Sequence, residues 1–227
     1  MIQIIFGLIL GLVHYFSDRI HVAHGIHKMK TMSFTAGIFI TYMFLHLFPN
    51  LYQGGLFFNR LSLIFVLIGF ALFHVMEKYI YQHASGKELK KELRISHSFA
   101  FFFYHFMIGI ILVNITKLNV ISGLLLFIPI LSYNAISSIS MKEIHEIVTG
   151  RRTAKFLLSI STLLGVILAT YILIPEIIYY SLFGFVIGTL LYIIILEAVP
   201  KEREGKPAYF IFGILLYSII IAFTWVV

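Results

Sequence analysis

The chain is a series of long apolar segments separated by short polar ones, and this pattern strongly limits what it can fold into. A helix needs about 17–25 mostly apolar residues to cross a bilayer. Hydropathy predicts eight such spans, which we number 1 to 8 in chain order: 2–17, 33–52, 60–82, 97–116, 119–141, 155–174, 177–199 and 207–227. We therefore predict an all-α integral membrane protein with one transmembrane domain over residues 1–227.

The composition leaves no room for a sizeable soluble domain. Hydrophobic residues make up 60% of the chain and charged residues only 12%, and the mean hydropathy is +0.97. The N-terminal segment has no positive leader before its apolar run, so we expect it to be span 1 and not a cleaved signal peptide. The chain has no cysteine, which excludes disulfides and thiolate metal sites.

The basic residues predict how the spans are oriented. All of the 17 lysines and arginines except Arg60 and Lys117 fall in or beside the loops after spans 1, 3, 5 and 7. Since basic loops stay cytoplasmic, we predict both termini outside, in a plasma or inner membrane. The net charge of +7 is also interpreted as a sign of membrane orientation. It does not indicate nucleic-acid binding, because the basic residues form no helix with interleaved aromatics. The expected partner is the lipid bilayer; no soluble partner is identified, and a homodimer is left open.

Few polar side chains are predicted near the middle of the membrane. They are Tyr104 and His105 in span 4 and Tyr133, Asn134, Ser137 and Ser138 in span 5, with His46 off centre in span 2. Asn134, Ser137 and Ser138 share one helical face, and an antiparallel span 4 would bring His105 to the same depth. Such groups hydrogen-bond between membrane helices, or they line a path for an ion or a small solute. Both interpretations remain open at this point.

A second group of potential ligands lies in the predicted cytoplasmic loops. Its members are His21, His24 and His27 in the first loop, and Glu143, His145 and Glu146 after span 5. Together they could form a weak metal or sensing site. The alternative is a solvated stretch that faces lipid headgroups, because histidine-rich tracts are weak evidence for metal binding.

No catalytic constellation is found, and we predict that the protein is not an enzyme. The pair His145-Glu146 does not belong to a complete zinc-protease motif, because Thr149 stands where the second histidine would be required. No serine, lysine or aspartate pair at a matched depth suggests another intramembrane hydrolase.

Three segments carry a family resemblance. Span 2 ends in AGIFITYMFLHLFPN, similar to a small-G-x-F…LHLLPE pattern, and span 7 reads GFVIGTLLYIIILEAVPKE, similar to GFxAGxFLYxALVELLPE. The stretch TGRRTAKFLLS resembles the TG-x-R-x-KAFLxS segment that enters span 6. In these segments the chain resembles the ZIP family of metal-ion transporters.

The resemblance implies both a fold and a function. The fold would be a 3+2+3 arrangement of eight spans, in which the first three and the last three are related as an inverted repeat. The function would be transport of a divalent ion such as zinc, iron, manganese or cadmium through a site between spans 4 and 5. Zn²⁺ or another divalent transition metal would then be a substrate, and no resident cofactor is predicted with certainty.

The expected site departs from the family pattern HNxPEG in both spans. When YHFMIG is aligned on Gly109, Tyr104, His105 and Ile108 replace its histidine, asparagine and glutamate. In YNAISS of span 5, Tyr133 and Ser137 replace the histidine and glutamate, and Asn134 is kept. The remaining candidate ligands are His105, Asn134, Ser137, Ser138 and His46, with Tyr104, Ile108 and Tyr133 as pathway positions. The alternative function is a ZIP-like scaffold that no longer transports metal: a regulatory or partner subunit, or a carrier of another small polar solute.

Overall fold

The computed structural model describes residues 2–16, 26–52, 56–140, 152–195 and 205–226, and all regular structure in these ranges is helical. The helices are α1 (Ile2–Phe16), α2 (Ile26–Tyr42), α3 (Phe48–Tyr52), α4 (Leu56–His83), α5 (Gly86–Leu118), α6 (Val120–Ser140), α7 (Arg152–Tyr171), α8 (Glu176–Ile193) and α9 (Pro207–Val226). A π-helical turn, Met43–Leu47, joins α2 to α3. The segment α2–α3 corresponds to predicted span 2, and the other helices correspond in order to spans 1 and 3 to 8.

Several of these helices have the length and composition of membrane spans. In the described residues, five are long and apolar enough to cross a bilayer: Met29–Tyr52, Arg60–His83, Gly86–Leu118, Glu176–Ile193 and Pro207–Trp225. The apolar stretches of α1, α6 and α7 are shorter. Large apolar side chains cover the outside of the bundle, as shown by Leu67, Phe99 and Leu215, which are 66%, 70% and 57% exposed. An exterior of this kind suits a lipid environment.

Helix α5 begins well before residue 97, where hydropathy placed the start of span 4. It starts at Gly86, whose φ of 56° ends the preceding turn, and continues through the charged sequence KELKKELR. Lysine, glutamate, leucine and arginine are strong helix formers. The hydropathy pattern could therefore locate the apolar part of this helix but not its polar first turns.

The connections at the other ends are short. Only Asn119 separates α5 from α6, and its side-chain oxygen accepts a hydrogen bond from the backbone N–H of Ile121 at 2.8 Å, which caps α6. Pro175 precedes α8, so the structure has the turn between spans 6 and 7 at the predicted place. The Lys117 ammonium donates to the carbonyl oxygen of Ala169 at 3.1 Å, near the end of α7. This contact gives a local role to one of the two basic residues outside the basic loops.

Glycines set the closest helix crossings. Between α4 and α8, Cβ atoms added at Gly69 and Gly188 would collide with the carbonyl oxygens of Phe185 and Val66. Between α2 and α9, Gly37 and Gly213 meet the opposite backbone in the same manner, at Phe210 and Phe34. Small residues let membrane helices approach to backbone contact, and both crossings depend on them.

The helix pairs are related by an exchange of the two halves of the chain. Helix α4 packs on α8 and α2 packs on α9, while α2 also contacts α6 and α8 contacts α5. The exchange replaces α1 with α7, α2–α3 with α8, α4 with α9, and α5 with α6, in both directions. It converts the pair α4–α8 into α9–α2, and the pair α2–α6 into α8–α5. The π-helical residues also correspond: Met43 follows Gly37 at the same spacing at which Ile194 follows Gly188.

Candidate functional site

The buried polar side chains of α5 and α6 lie at a common depth. The two helices are joined at Asn119 and run in opposite directions. With a rise of 1.5 Å per residue, His105 and Tyr133 each lie about 20 Å along their helices from this turn. His105, Tyr104, Tyr133 and Asn134 are all buried. We call these four side chains, together with His14 of α1, the polar layer.

His14 belongs to the layer because its ring contacts that of His105. The ring centroids are 5.2 Å apart and the planes are inclined by 59°. Both side chains are buried, with exposed fractions of 7% for His14 and 3% for His105. The ring of Tyr104, the preceding residue, lies 5.0 Å from that of His105, centroid to centroid. The structure therefore brings together two imidazoles from helices that are far apart in the chain.

His14 was not among the site residues predicted from the sequence. It lies in the last turn of α1, where a histidine is easily assigned to the membrane boundary. A usable signal was nevertheless present, because Gly7, Gly11 and His14 share one face of the helix. A face built on two glycines packs against another helix, and a histidine on the same face is buried with it.

Helix α7 positions both histidine-bearing helices. A Cβ at Gly11 of α1 would lie 2.5 Å from the carbonyl oxygen of Ser159. Gly109 of α5 meets Gly165 of α7, where an added Cβ would collide with the backbone around Thr162. Because α1 and α5 both approach α7 at backbone distance, their long side chains can meet beside it. The pairing of His14 with His105 follows from these two crossings.

Helix α6 supplies the rest of the layer and is fixed from two sides. The Phe127 ring stacks on Phe6 of α1 at 4.5 Å, and the Tyr133 ring packs edge-on against Phe39 of α2 at 5.7 Å. Asn134, the next residue, is 1% exposed. These contacts place the amide of Asn134 inside the bundle, at the depth of His105.

Further residues predicted for the site are Ile108, Ser137 and Ser138. Ile108 is buried in the same hydrophobic cluster as Tyr104 and Tyr133 of the polar layer. Ser137 and Ser138 lie on α6, but their side chains are not in the described part of the structure. The structure therefore gives no position for the two hydroxyls relative to His105.

His46 lies in the π turn and outside the polar layer. It is buried, and its ring stacks on that of Tyr42 at 5.3 Å. Among the described residues, neither its Nε2 atom nor the Tyr42 hydroxyl has a hydrogen-bond partner. Phe39, which packs on Tyr133, is about 10 Å away along the helix axis. The π turn, a feature frequent at functional sites, therefore carries a separate polar pair.

The predicted cytoplasmic group falls almost entirely outside the described residues. This holds for His21, His24, Glu143, His145 and Glu146. Only His27 is described; it is exposed in the first turn of α2, and its carbonyl oxygen accepts a hydrogen bond from the Thr31 hydroxyl at 2.9 Å. The proposed weak metal or sensing site stays a prediction.

The polar layer offers ligands without formal charge. It contains two imidazoles, two phenols and one amide, and no group of three or more His, Cys, Asp or Glu side chains that could hold a metal occurs in the ranges that the structure describes. Neutral donors can replace the water around an ion, but they do not offset its charge, which is costly to bury. The chain matches no protein-family model and no curated protein sequence. The case for a function therefore depends on the arrangement of these side chains.

Proposed function

We propose that the protein is a ZIP-like integral membrane carrier that moves transition-metal ions through the polar layer between α1, α5 and α6. It would have eight spans, with both termini outside and the basic loops in the cytoplasm. The divalent ions of the zinc, iron and manganese class are the first candidates for its cargo, as the resemblance in spans 2 and 7 implies. The ion would be a substrate that passes through and not a resident cofactor.

The observation that carries this proposal is the exchange relationship between the helix pairs. The pairs α4–α8 and α9–α2 replace each other when the halves of the chain are exchanged, and π-helical residues follow Gly37 and Gly188 at matched positions. Inverted repeats are a common construction of secondary transporters, with binding at the midplane between the repeats. Four of the five side chains in the polar layer lie on the two central helices, α5 and α6, which exchange with each other.

The cost of the buried polar groups supports the same proposal. Polar and ionisable side chains at mid-membrane are expensive, and by default they indicate a pathway or a binding site. Here a His–His contact and a buried amide lie in the interior of the bundle. Interhelical hydrogen bonding is the alternative role for such side chains, and the flux measurements below separate the two.

Metal uptake by reconstituted vesicles tests transport. Wild-type protein should load vesicles with Zn²⁺, Mn²⁺ or Fe²⁺ above the protein-free rate. The variants His105→Ala and Asn134→Ala should lose most of this flux. His83→Ala is the matched control, because His83 is exposed at the end of α4. Transport is excluded for these ions if folded protein gives no flux above empty vesicles.

Thiol labelling tests the proposed topology, and the absence of cysteine makes every introduced thiol the sole target. In intact cells an impermeant maleimide should label Leu118→Cys in the α5–α6 turn, since Leu118 is 82% exposed. It should not label Ser85→Cys in the α4–α5 turn, which is also exposed, until the membrane is permeabilised. The reverse pattern would contradict the proposed orientation.

The second candidate is a ZIP-like scaffold that transports no metal. One observation favours it: Ile108, at a position where the resemblance implies a carboxylate, is 1% exposed and buried in the apolar core. A folded protein without metal flux in the vesicle assay would support this alternative over the carrier.

A further inference from the structure

We infer that His14 and His105 together form a two-imidazole site for a monovalent d¹⁰ metal ion, Cu(I) or Ag(I). The inference rests on the proposed function in one respect, because it names a class of cargo for the same layer. Binding itself can be measured without transport. The resemblance implies a metal site formed by spans 4 and 5 only. It therefore does not imply a ligand from α1.

The two neighbouring rings can supply one nitrogen ligand each to a single ion. Metal–imidazole nitrogen distances are about 2.0–2.1 Å, so two nitrogens that face each other across an ion are about 4 Å apart. Each ring centre lies about 1.1 Å behind its nitrogen, so a linear nitrogen–ion–nitrogen arrangement requires ring centres about 6.3 Å apart. The centres are now 5.2 Å apart and the planes are inclined by 59°, so the two rings must separate by about 1 Å when an ion enters.

Charge favours a monovalent ion over a divalent one at this place. Burial of an ion in a medium of low dielectric constant is expensive, and the Born energy scales with the square of the charge. A monovalent ion therefore incurs about one quarter of the desolvation cost of a dication of the same size. His14 and His105 are both buried, and as neutral ligands they supply no negative charge to offset the second charge of Zn²⁺ or Mn²⁺.

Coordination number leads to the same choice. Zinc takes about four ligands, and Ca²⁺ or Mg²⁺ takes six or more oxygens, often including water. Monovalent d¹⁰ ions accept two donors in a line, and imidazole is a suitable ligand for copper. The buried pair of histidines provides two nitrogen donors.

Silver titration of purified protein tests the inference. Ag(I) in chloride-free buffer is a redox-stable probe for this class of ion. The chain has no cysteine, so thiolates cannot compete, and its seven methionines remain in every variant. Loss of an outer-shell partner lowers metal affinity about 10- to 100-fold. Calorimetry should show a larger loss of Ag(I) affinity in both His14→Gln and His105→Gln, because each removes a direct ligand. His83→Gln should bind as the wild type does.

Two further measurements keep the test decisive. Thermal melting without metal shows which variants are folded, and equal Ag(I) affinity in a folded His14→Gln variant would overturn the inference. For wild-type protein loaded with Cu(I) under anaerobic conditions, X-ray absorption should show two nitrogen donors. A shell made only of sulfur would overturn it even if the variants do not fold.

The two proposals fail in different ways. Zinc or manganese uptake that persists in His14→Gln, with unchanged Ag(I) binding, would remove the two-histidine site and leave the carrier. Ag(I) binding that needs both histidines, in a protein that loads vesicles with no metal, would support the site and remove transport.

Discussion

The hydroxyl of Tyr217 donates a 2.8 Å hydrogen bond to the carbonyl oxygen of Leu125. In a regular helix this carbonyl would accept from the backbone N–H of residue 129, which is a proline. Pro129 lies inside α6 and has no backbone N–H, so the carbonyl four residues earlier has no partner within the helix. Neighbouring side chains can satisfy such carbonyls in membrane proteins. Helix α9 therefore compensates for a proline in α6.

Tyr217→Phe should destabilise the protein because it leaves a buried carbonyl without a donor. Interhelical hydrogen bonds in membranes average about 0.6 kcal/mol and reach about 1.7 kcal/mol. We expect a value toward the upper end, since Tyr217 is 1% exposed and water cannot replace it. Unfolding in mixed detergent micelles measures the difference in free energy.

A double-mutant cycle isolates the cause. In a Pro129→Ala background, the new N–H of residue 129 can bond the Leu125 carbonyl, so Tyr217→Phe should cost much less. If the two substitutions are additive, the hydroxyl does not compensate for the proline and our explanation of Tyr217 is wrong.

Tyr42→Phe should have the opposite sign, although Tyr42 and Tyr217 are neighbours with ring centroids 6.3 Å apart. The Tyr42 hydroxyl is fully buried and has no hydrogen-bond partner within the described ranges. Removing a buried unsatisfied group relieves a desolvation penalty. We expect stability to rise by as much as about 1 kcal/mol, near the low end of that penalty. A loss comparable to that of Tyr217→Phe would show that the hydroxyl has a partner.

The helices of this protein were largely predictable, and the contacts between them were not. Each segment selected by hydropathy corresponds to helix in the described residues, and five of these helices are long and apolar enough to cross a bilayer. Hydropathy could not locate the start of α5 at Gly86, because a charged sequence can be helical outside the apolar region. The π turn at Met43–Leu47 has no hydropathy signal at all.

The candidate site was predictable in part, because helix geometry fixes the depth of a residue but not its neighbours on other helices. Helix rise alone placed His105 and Asn134 at one depth. It could not bring His14 to His105, because their contact depends on how α1 and α5 cross α7 at Gly11 and Gly109. Side-chain meetings across three helices are set by crossing geometry, which a single sequence does not specify.

The crossing of α5 with α7 should be intolerant of a single methyl group. In Gly109→Ala the new Cβ would collide with the Thr162 carbonyl oxygen and lie 2.8 Å from the Val166 nitrogen. Backbone cannot move aside as a side chain can, so we expect a loss of about 1–3 kcal/mol or more. Melting temperature and unfolding in mixed micelles measure this loss.

Gly7→Ala is the matched control at the crossing of α1 with α7. Its Cβ would lie 3.1 Å from Val166 Cγ2, a side-chain atom that can shift, and 3.5 Å from the Cα and Cδ1 atoms of Leu163, which is ordinary van der Waals contact. Alanine also has a helix propensity about 1 kcal/mol better than that of glycine. Stability should therefore change little or rise. Equal losses in the two variants would mean that the close approach at Gly109 is not the cause.

Ile108→Glu should convert the polar layer from a neutral to an acidic one. Ile108 lies three residues after His105 and therefore on the same helical face, and it is 1% exposed. Without metal, a buried carboxylate should lower the melting temperature, because its desolvation has no compensating charge. With Zn²⁺ present, the carboxylate and His105 supply charge and a nitrogen donor together, so the variant should gain stability. A ligand at 100 times its Kd adds about 2.7 kcal/mol.

Ile110→Glu controls for the effect of burying any carboxylate in α5. Ile110 is also buried, but it lies about 140° around the helix from His105. It should lose stability without metal and regain little when Zn²⁺ is added. The comparison tests whether the side chains of the polar layer can bind one ion together. If Zn²⁺ raises the melting temperature of Ile108→Glu only, His105 is within reach of the ion that the new carboxylate binds. If both variants respond equally, or if neither folded variant responds, His105 does not face a cavity that can admit a metal.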